Sequence, residues 1–527
     1  MPLALSVPAD RAAPPKDLEI RPKQVKAWIE SLPLAQSLDA AKKLCVHLAA
    51  VNRAKMELDI RLQILEVYRP TAAVLLEELD AVYSKSPLPL PTRAREALMA
   101  ARDLTAELAT GYKIAIVEKS GKLIAFGAKK QLPGLIARAM EFLMGGLMAS
   151  YKSYTPPPPG IWRELHELYL HADREGVAKE PADAETKVTV FDLYTEALLV
   201  SLTDPYRLVQ GDADKILAQA RGYRGMATVG RERPNTRPGG HFLVPCDTDK
   251  PPKPLLSAND DAGGPNWRLL DANPVVDRLR QKKTAAETGN VSQTMSKAMG
   301  PDGLAQLARL ITLWGDPPKR TQRRNPSDAT VAICVGLKAV GHFVSFEPRL
   351  DATAEADALK RGITMPLMAL PTDEASQAIP VFEWDIVNES AGGLKVRRMG
   401  VTQQPIGVGE VVGVKLNDRS RWIIGVARWI TMFDEGGMEF GIQFIGSLAR
   451  PVWVQPTVAS APQAKLGLKL AFGNDSGEPD ALLTPLNTYA DLREFEVSDN
   501  GETVHVRATS LIEKTGRFEL FHISPSA

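Results

Sequence analysis

The sequence has few of the features that mark several large classes of protein. It contains three cysteines in 527 residues, Cys45, Cys246 and Cys334, and they lie far apart. An odd and scattered set of this kind argues against a disulfide framework and against a zinc site. The 64 lysines and arginines nearly balance the 63 aspartates and glutamates. DNA or RNA is therefore not indicated as a partner, and any site for an anionic ligand must be a local basic patch.

Long apolar runs are also absent. No stretch approaches the roughly 18 uninterrupted apolar residues of a membrane span, and the richest candidate, residues 142–148, is interrupted by Gly145 and Gly146. The N-terminus lacks the basic and apolar regions of a secretory signal. With 44% apolar and 24% charged residues, the composition is that of a globular chain long enough for several domains. We therefore expect a cytoplasmic protein without a membrane span.

The hydrophobic pattern changes along the chain and predicts a multidomain α + β protein. After a loose N-terminal arm (1–18), apolar residues recur at helical spacings over residues 19–225, which predicts an α-helical domain. This period is lost over 226–314, an irregular linker region in which a short strand and two helices are expected. Alternation with a period of two then predicts a small β-barrel within 315–455 and a C-terminal β extension over 456–527. The strands expected for the barrel are 329–335, 341–346, 382–387, 393–399, 411–416, 422–430 and 438–445.

Just before these strands the sequence carries a cluster of basic residues. Arg320 and Arg324 are four residues apart, with Lys319 and Arg323 beside them. Guanidinium groups match phosphate oxygens and the O6/N7 edge of guanine with two parallel hydrogen bonds. By itself, such a cluster is more often a solvated basic linker.

A second polar segment follows the strand predicted at 382–387. Asn388 and Ser390 place two short polar side chains at positions i and i+2, where they could bond a base edge or a phosphate. Gly392 and Gly393 allow the backbone to approach a neighbour closely or to adopt positive φ. By itself, this segment is more often an ordinary hairpin turn.

Taken in order, Arg-x-x-x-Arg at 320–324 and Asn-x-Ser-x-x-Gly at 388–393 resemble the motifs of the PilZ domain family of bacterial cyclic di-GMP receptors. Residues 425–429 and 440–444 resemble the closing strands of that family, so the resemblance covers about residues 315–455. It implies a six-stranded β-barrel that binds cyclic di-GMP, often as a stacked dimer of the dinucleotide. The residues of this chain that the resemblance assigns to the ligand are Arg320, Arg324, Asn388 and Ser390, with Gly393 shaping the turn and Lys319 and Arg323 as neighbours of the arginines. The segment 352–376 is longer than the usual strand connection of the family.

The resulting hypothesis is a receptor without enzymatic activity, whose helical part contacts a protein partner. Ligand binding is then expected to order residues 317–324 and to change the angle between the helical part and the barrel. The alternative is a protein-interaction scaffold whose PilZ-like barrel does not bind nucleotide. An enzyme has no supporting constellation: His166 and His171 are five residues apart, unlike the i, i+4 pair of a zinc helix. Neither catalytic residues nor a metal nor a cofactor is therefore predicted.

Overall fold

The computed structural model divides the chain into two compact units, Met1–Ser86 with Leu90–Arg320, and Pro87–Pro89 with Thr321–Ala527. The residues that the structure describes are 3–9, 11–120, 128–233, 239–257, 260, 264–288, 293–318, 323–345, 379–400, 405–416, 421–446, 448–458, 463–471, 479–499 and 502–526.

The first unit is built mainly from helices, which confirms the predicted N-terminal helical domain. α4 is buried along most of its length, and α2, α3 and α5 pack against it, so this helix forms the centre of the unit. The helices of this unit are α1 (Pro22–Glu30), α2 (Ser37–Arg53), α3 (Leu58–Tyr83), α4 (Thr92–Ser120), α5 (Ala128–Lys152), α6 (Ile161–Arg174), α7 (Val190–Ser201), α8 (Asp212–Arg221), α9 (Asn273–Glu287) and α10 (Gln293–Gly315).

The stretch 38–65, which the sequence predicts as one straight or bent helix, forms α2 and the start of α3. A buried arginine closes the end of α2. The guanidinium of Arg61 donates to the carbonyl of Val51 at 3.2 Å and to that of Ala54 at 2.8 Å. Carbonyls at a helix end lack their regular helical partners. The Val51 carbonyl also accepts from the backbone N–H of Ala54 at 3.2 Å, so Arg61 reinforces the end of the helix.

The N-terminal arm makes specific contacts that its proline- and alanine-rich composition does not indicate. The backbone N–H of Ser6 donates to the Glu164 carboxylate at 2.9 Å. That carboxylate also accepts from Lys113 at 2.7 and 2.8 Å, and both charged side chains are buried. Lys55 donates its backbone N–H to the carbonyl of Ala12 at 2.7 Å. The arm is therefore held against the helices at two separate places.

Between α8 and α9 the chain forms a small antiparallel sheet, with the strand order β1-β4-β2-β3. The strand expected at 241–244 lies within β2. The four strands are β1 (Thr228–Gly230), β2 (His241–Pro245), β3 (Lys253–Pro254) and β4 (Trp267–Asp271).

One helix segment among the described residues, Lys130–Lys152, is long and apolar enough to cross a membrane. It is part of α5, and 72% of its most apolar window is buried inside the protein. A core helix of a folded domain shows the same length and composition, so burial accounts for its apolar character.

The second unit contains two closed β-barrels. The first has the strand order β7-β6-β9-β10-β11-β8 and closes because β7 also pairs with β8. This arrangement confirms the predicted six-stranded barrel, and the short β5 adds to β7 from outside the ring. The strands are β5 (Asn325–Pro326), β6 (Thr330–Val335), β7 (Phe382–Ser390), β8 (Gly393–Met399), β9 (Val411–Leu416), β10 (Ile423–Met432) and β11 (Gly437–Gly446).

The strand predicted at 341–346 is wrong, because residues 341–345 belong to a helix, α11 (Leu337–Ser345). Its buried side chains Ala339, Val340, Phe343 and Val344 recur at helical spacing rather than alternating. They enter one apolar cluster that includes residues of both barrels, such as Trp422 and Leu468. Helical periodicity buries these side chains on one side, whereas a strand would turn half of them to solvent. The long segment 352–376 lies outside the described residues.

The C-terminal β extension is larger than the sequence predicts and forms the second barrel. Its strand order is β12-β13-β14-β17-β16-β15, and it closes because β12 pairs with β15. The predicted domain boundary after residue 455 stays a prediction. The strands are β12 (Ala449–Pro456), β13 (Lys465–Leu470), β14 (Ala481–Pro485), β15 (Glu494–Asp499), β16 (Glu502–Lys514) and β17 (Phe518–Pro525).

A candidate ligand-binding face on the first barrel

The polar residues of the second motif lie on a strand rather than in a turn. Asn388 and Ser390 end β7, and they face Lys395 and Gly393 of β8. On β8, the buried Leu394 and Val396 alternate with these positions and point into the barrel. A register shift between Ile386 and Asn388 brings the motif residues opposite these outward positions of β8, so both motif side chains lie on the outer face of the barrel.

The first motif is brought to the same place through β5. This short strand pairs with the end of β7, with Pro326 opposite Asn388. Arg324, which immediately precedes β5, donates from Nη1 to Oδ1 of Asn388 at 3.1 Å. The structure thus joins one residue of each motif, which are 64 positions apart in sequence. Arg323 is exposed beside them, whereas Lys319 and Arg320 lie outside the described residues.

Gly393 is required by close packing as well as by the hairpin. A Cβ atom at this position would lie 2.0 Å from the carbonyl oxygen of Ile442 on β11. No real side chain tolerates such a contact, so β8 approaches β11 closely only because residue 393 is glycine. Ser390 donates from Oγ to the carbonyl of Gly393 at 3.3 Å, which ties the two ends of the hairpin together.

Four strands extend the face in a row that sequence analysis did not identify. Asn388 faces Lys395, Lys395 faces Gly441, and Gly441 faces Trp429. A Cβ on Gly441 would lie 2.0 Å from Nε1 of Trp429, so the indole occupies the space that glycine leaves open. Nζ of Lys395 lies 5.8 Å from the centroid of this ring. The row therefore presents a hydrogen-bonding amide, a cation and an aromatic surface side by side.

A second, parallel row runs from Ser390 through Gly393 and Gln443 to Arg428. Arg428 occupies a β-bulge, because Ala427 faces Ile442 while Trp429 faces Gly441. Its Nε donates to Oε1 of Gln443 at 2.8 Å. In the sequence, Arg428 and Gln443 are indicated only by alternation, since each stands next to a residue whose side chain is buried in the barrel. Their alignment depends on strand register and on the bulge, which the sequence does not reveal.

Glu439, an acidic residue beside the first row, is neutralised. It has 7% exposure and accepts from Lys395 at 2.7 Å and from Nε of Arg397 at 2.7 Å. The exposed charges beside the motif residues include those of Arg323 and Glu389. The arginine and lysine side chains, together with the indole of Trp429, suit an anionic ligand with planar bases.

The histidines of α6 do not form a metal site. His166 is fully buried, with Nδ1 at 2.8 Å from the Tyr194 hydroxyl and Nε2 at 2.9 Å from the carbonyl of Lys250. Among the described residues, no group of three or more His, Cys, Asp or Glu side chains could hold a metal ion.

Two family models match most of the chain. Residues 23–233 match the N-terminal domain of the cyclic-di-GMP receptor FimW, and residues 241–365 and 368–451 match the middle PilZ domain of that receptor. A relative, the cyclic-di-GMP receptor FimW of Pseudomonas aeruginosa, is 25% identical in an alignment that covers 98% of this chain and 93% of the relative. No solved structure matches the chain. Through the part that matches the middle domain, the chain belongs to the PilZ domain family.

Proposed function

We propose that this protein is a receptor for cyclic di-GMP, which binds to the outer face of the first barrel. The observation that carries the proposal is the hydrogen bond between Arg324 and Asn388. It links the arginine motif to the polar motif at the edge of a face lined by Lys395 and Trp429. The resemblance of the chain to a cyclic-di-GMP receptor supports the same ligand.

The proposed contacts follow from the chemistry of each side chain. Arg320 and Arg324 bind a phosphate and the O6/N7 edge of one guanine, for which their planar forks are suited. Asn388 and Ser390 bond the edge of the other guanine. Gly393 allows β8 to lie close to β11. Lys319 and Arg323 add positive charge next to the arginines. Trp429 offers a flat surface on which a guanine stacks, a contact worth about 1–3 kcal/mol in nucleotide-binding proteins.

We further propose that the protein acts through binding rather than catalysis and that the helical unit contacts a protein partner. A receptor needs a part that passes on the bound state, and the helical unit is a folded part of the chain separate from the two barrels. A cytoplasmic location is part of the proposal, and the burial of the apolar window of α5 supports it.

The test is a titration of the full chain with cyclic di-GMP by calorimetry, together with Arg324→Ala. Since a bidentate arginine contact is worth about 1–3 kcal/mol, the variant should bind roughly tenfold or more weakly. Arg320→Ala and Asn388→Ala should weaken binding in the same direction. Arg450→Ala is the matched control, because Arg450 is half-exposed on the second barrel and pairs there with Asp499.

Equal affinity of the wild-type protein, Arg324→Ala and Arg320→Ala would contradict the proposed site. Absence of binding by the wild-type protein would contradict the ligand and favour a scaffold with a barrel that does not bind nucleotide. The binding stoichiometry from the same titration distinguishes a single dinucleotide from a stacked dimer.

A further inference from the structure

An ion pair connects the two barrels at the far end of the ligand-binding face. Arg428 of β10 and Glu513 of β16 form two parallel hydrogen bonds, of which the one from Nη2 to Oε2 measures 2.8 Å. Arg428 also donates from Nε to Gln443, which in turn faces Gly393 of the second motif. A continuous set of contacts therefore leads from the PilZ motif to the second barrel.

In this arrangement the guanidinium fork of Arg428 is occupied by a carboxylate. Arginine binds phosphate and carboxylate with the same bidentate geometry, so the two groups are alternative partners for one fork. Both side chains remain 26% exposed, which leaves the pair accessible from solvent. Because both groups keep part of their surface in water, an anionic ligand on the face is able to compete with Glu513 for the same fork.

We propose that Arg428 is an additional ligand-binding residue and that Glu513 is its competitor. A phosphate of the bound dinucleotide takes Arg428 from Glu513, and the ion pair between the barrels then opens. The inference rests on the proposed function, since the competing group is a phosphate of cyclic di-GMP. The second barrel then has a role, because ligand binding on the face removes its contact between Glu513 and Arg428.

The position of Glu513 indicates where the second barrel would change. β16 is irregular just before Glu513, with register shifts between Ala508 and Ser510 and between Leu511 and Glu513. Leu511 and Ile512 are large apolar side chains with 41% and 43% exposure. Irregular pairing leaves fewer hydrogen bonds between the strands. Release of Glu513 should therefore loosen the backbone of residues 510–514 before the rest of the barrel.

A double-mutant cycle on the full chain tests the proposal through its affinity for cyclic di-GMP. Glu513→Gln removes the competing charge and should tighten binding about two- to fivefold. Adding Arg428→Gln to Glu513→Gln should then weaken binding about tenfold or more, because the liberated fork contacts the ligand. When Arg428→Lys replaces Arg428→Gln in the double variant, most of this weakening should remain, because lysine keeps the charge but lacks the planar fork.

The matched control is Arg517→Gln, which removes the ion pair between Arg517 and Glu410 while leaving Arg428 in place. Affinity should not change in this variant. Hydrogen exchange supplies an independent measurement: binding should reduce the protection of amides 510–514 in the wild-type protein and leave it unchanged in Arg428→Gln.

The inference is overturned if Glu513→Gln and the double variant bind equally tightly, while binding still depends on Arg324. That result would leave the proposed receptor function intact. Absence of any binding by the wild-type protein would overturn the proposed function and this inference together.

Discussion

At the scale of single residues, the candidate ligand face depends on Gly441, which has no side chain. Gly441 leaves the space in which the indole of Trp429 lies, and a Cβ there would be 2.0 Å from Nε1. Gly441→Ala should displace the ring and reduce the affinity for cyclic di-GMP roughly tenfold, the size of one lost stacking contact. Calorimetry on the full chain measures the change.

Gly446→Ala is the control for this prediction. It lies on the same strand, and a Cβ at this position would have its nearest neighbour 3.7 Å away, an ordinary contact. We expect wild-type affinity in this variant. If Gly441→Ala also binds like the wild-type protein, Trp429 does not form part of the ligand site.

His166 makes the stability of the first unit sensitive to pH. The carbonyl of Lys250 can only accept, so Nε2 carries the proton and Nδ1 accepts from the Tyr194 hydroxyl. Burial lowers the pKa of His166 to about 4, because the charged form loses its hydration. Between the ordinary pKa of 6.5 and this value, the unfolded chain binds the proton more readily than the folded chain does. The contribution of His166 to the free energy of unfolding is therefore fully present above pH 6.5 and is lost as the pH decreases toward 4.

The expected loss attributable to His166 over this interval is up to about 3 kcal/mol. Urea unfolding of the wild-type protein and of His166→Gln at a series of pH values measures it, since the variant lacks this titration and should show a shallower decline. Parallel profiles for the wild-type protein and His166→Gln would show that His166 does not titrate on unfolding.

At the scale of elements, α11 joins the two barrels through a common core. Phe343 has 4% exposure and stacks on Trp422 of the first barrel with ring centroids 5.0 Å apart. The same cluster contains Leu468, Leu483 and other residues of the second barrel. Phe343→Ala should therefore destabilise both barrels, by about 3–5 kcal/mol for the lost burial and the cavity left behind. Chemical denaturation followed by hydrogen exchange in both barrels measures this effect.

Lys338→Ala, at an exposed position of the same helix, provides the comparison. Its effect should stay within about 0.5 kcal/mol, as is usual for surface substitutions. Loss of stability confined to the first barrel in Phe343→Ala would mean that the shared cluster does not couple the two barrels.

At the scale of the whole molecule, each compact unit has its own core, so we expect more than one unfolding transition. Calorimetry of the full chain near pH 5 should show His166→Gln changing the transition of the first unit and Phe343→Ala changing that of the second. The two effects should add in the double variant, because the substituted residues share no partner. A single transition that moves with both substitutions would contradict this expectation.

Much of this architecture follows from patterns within short stretches of sequence. Helical spacing predicts the first unit, and alternation predicts the strands of the first barrel, because burial of one face imposes a period on each element. Residue types and spacing identify the motif at 388–393 but predict a turn, whereas Asn388 and Ser390 lie on β7. The prediction at 341–346 failed because a short apolar segment of this length fits either period.

Other features were decided by tertiary structure. The placement of Trp429, Gly441 and Arg428 beside the motif depends on the register of three strand pairs and on the register shifts within two of them, β7 with β8 and β10 with β11. The closure of residues 449–525 into a second barrel depends on the pairing of β12 with β15, which are distant in sequence. A one-residue change of register would turn these side chains to the opposite face, and no local pattern fixes it. The sequence by itself therefore determined the elements and the motif, whereas long-range pairing and packing decided which side chains meet on the ligand face.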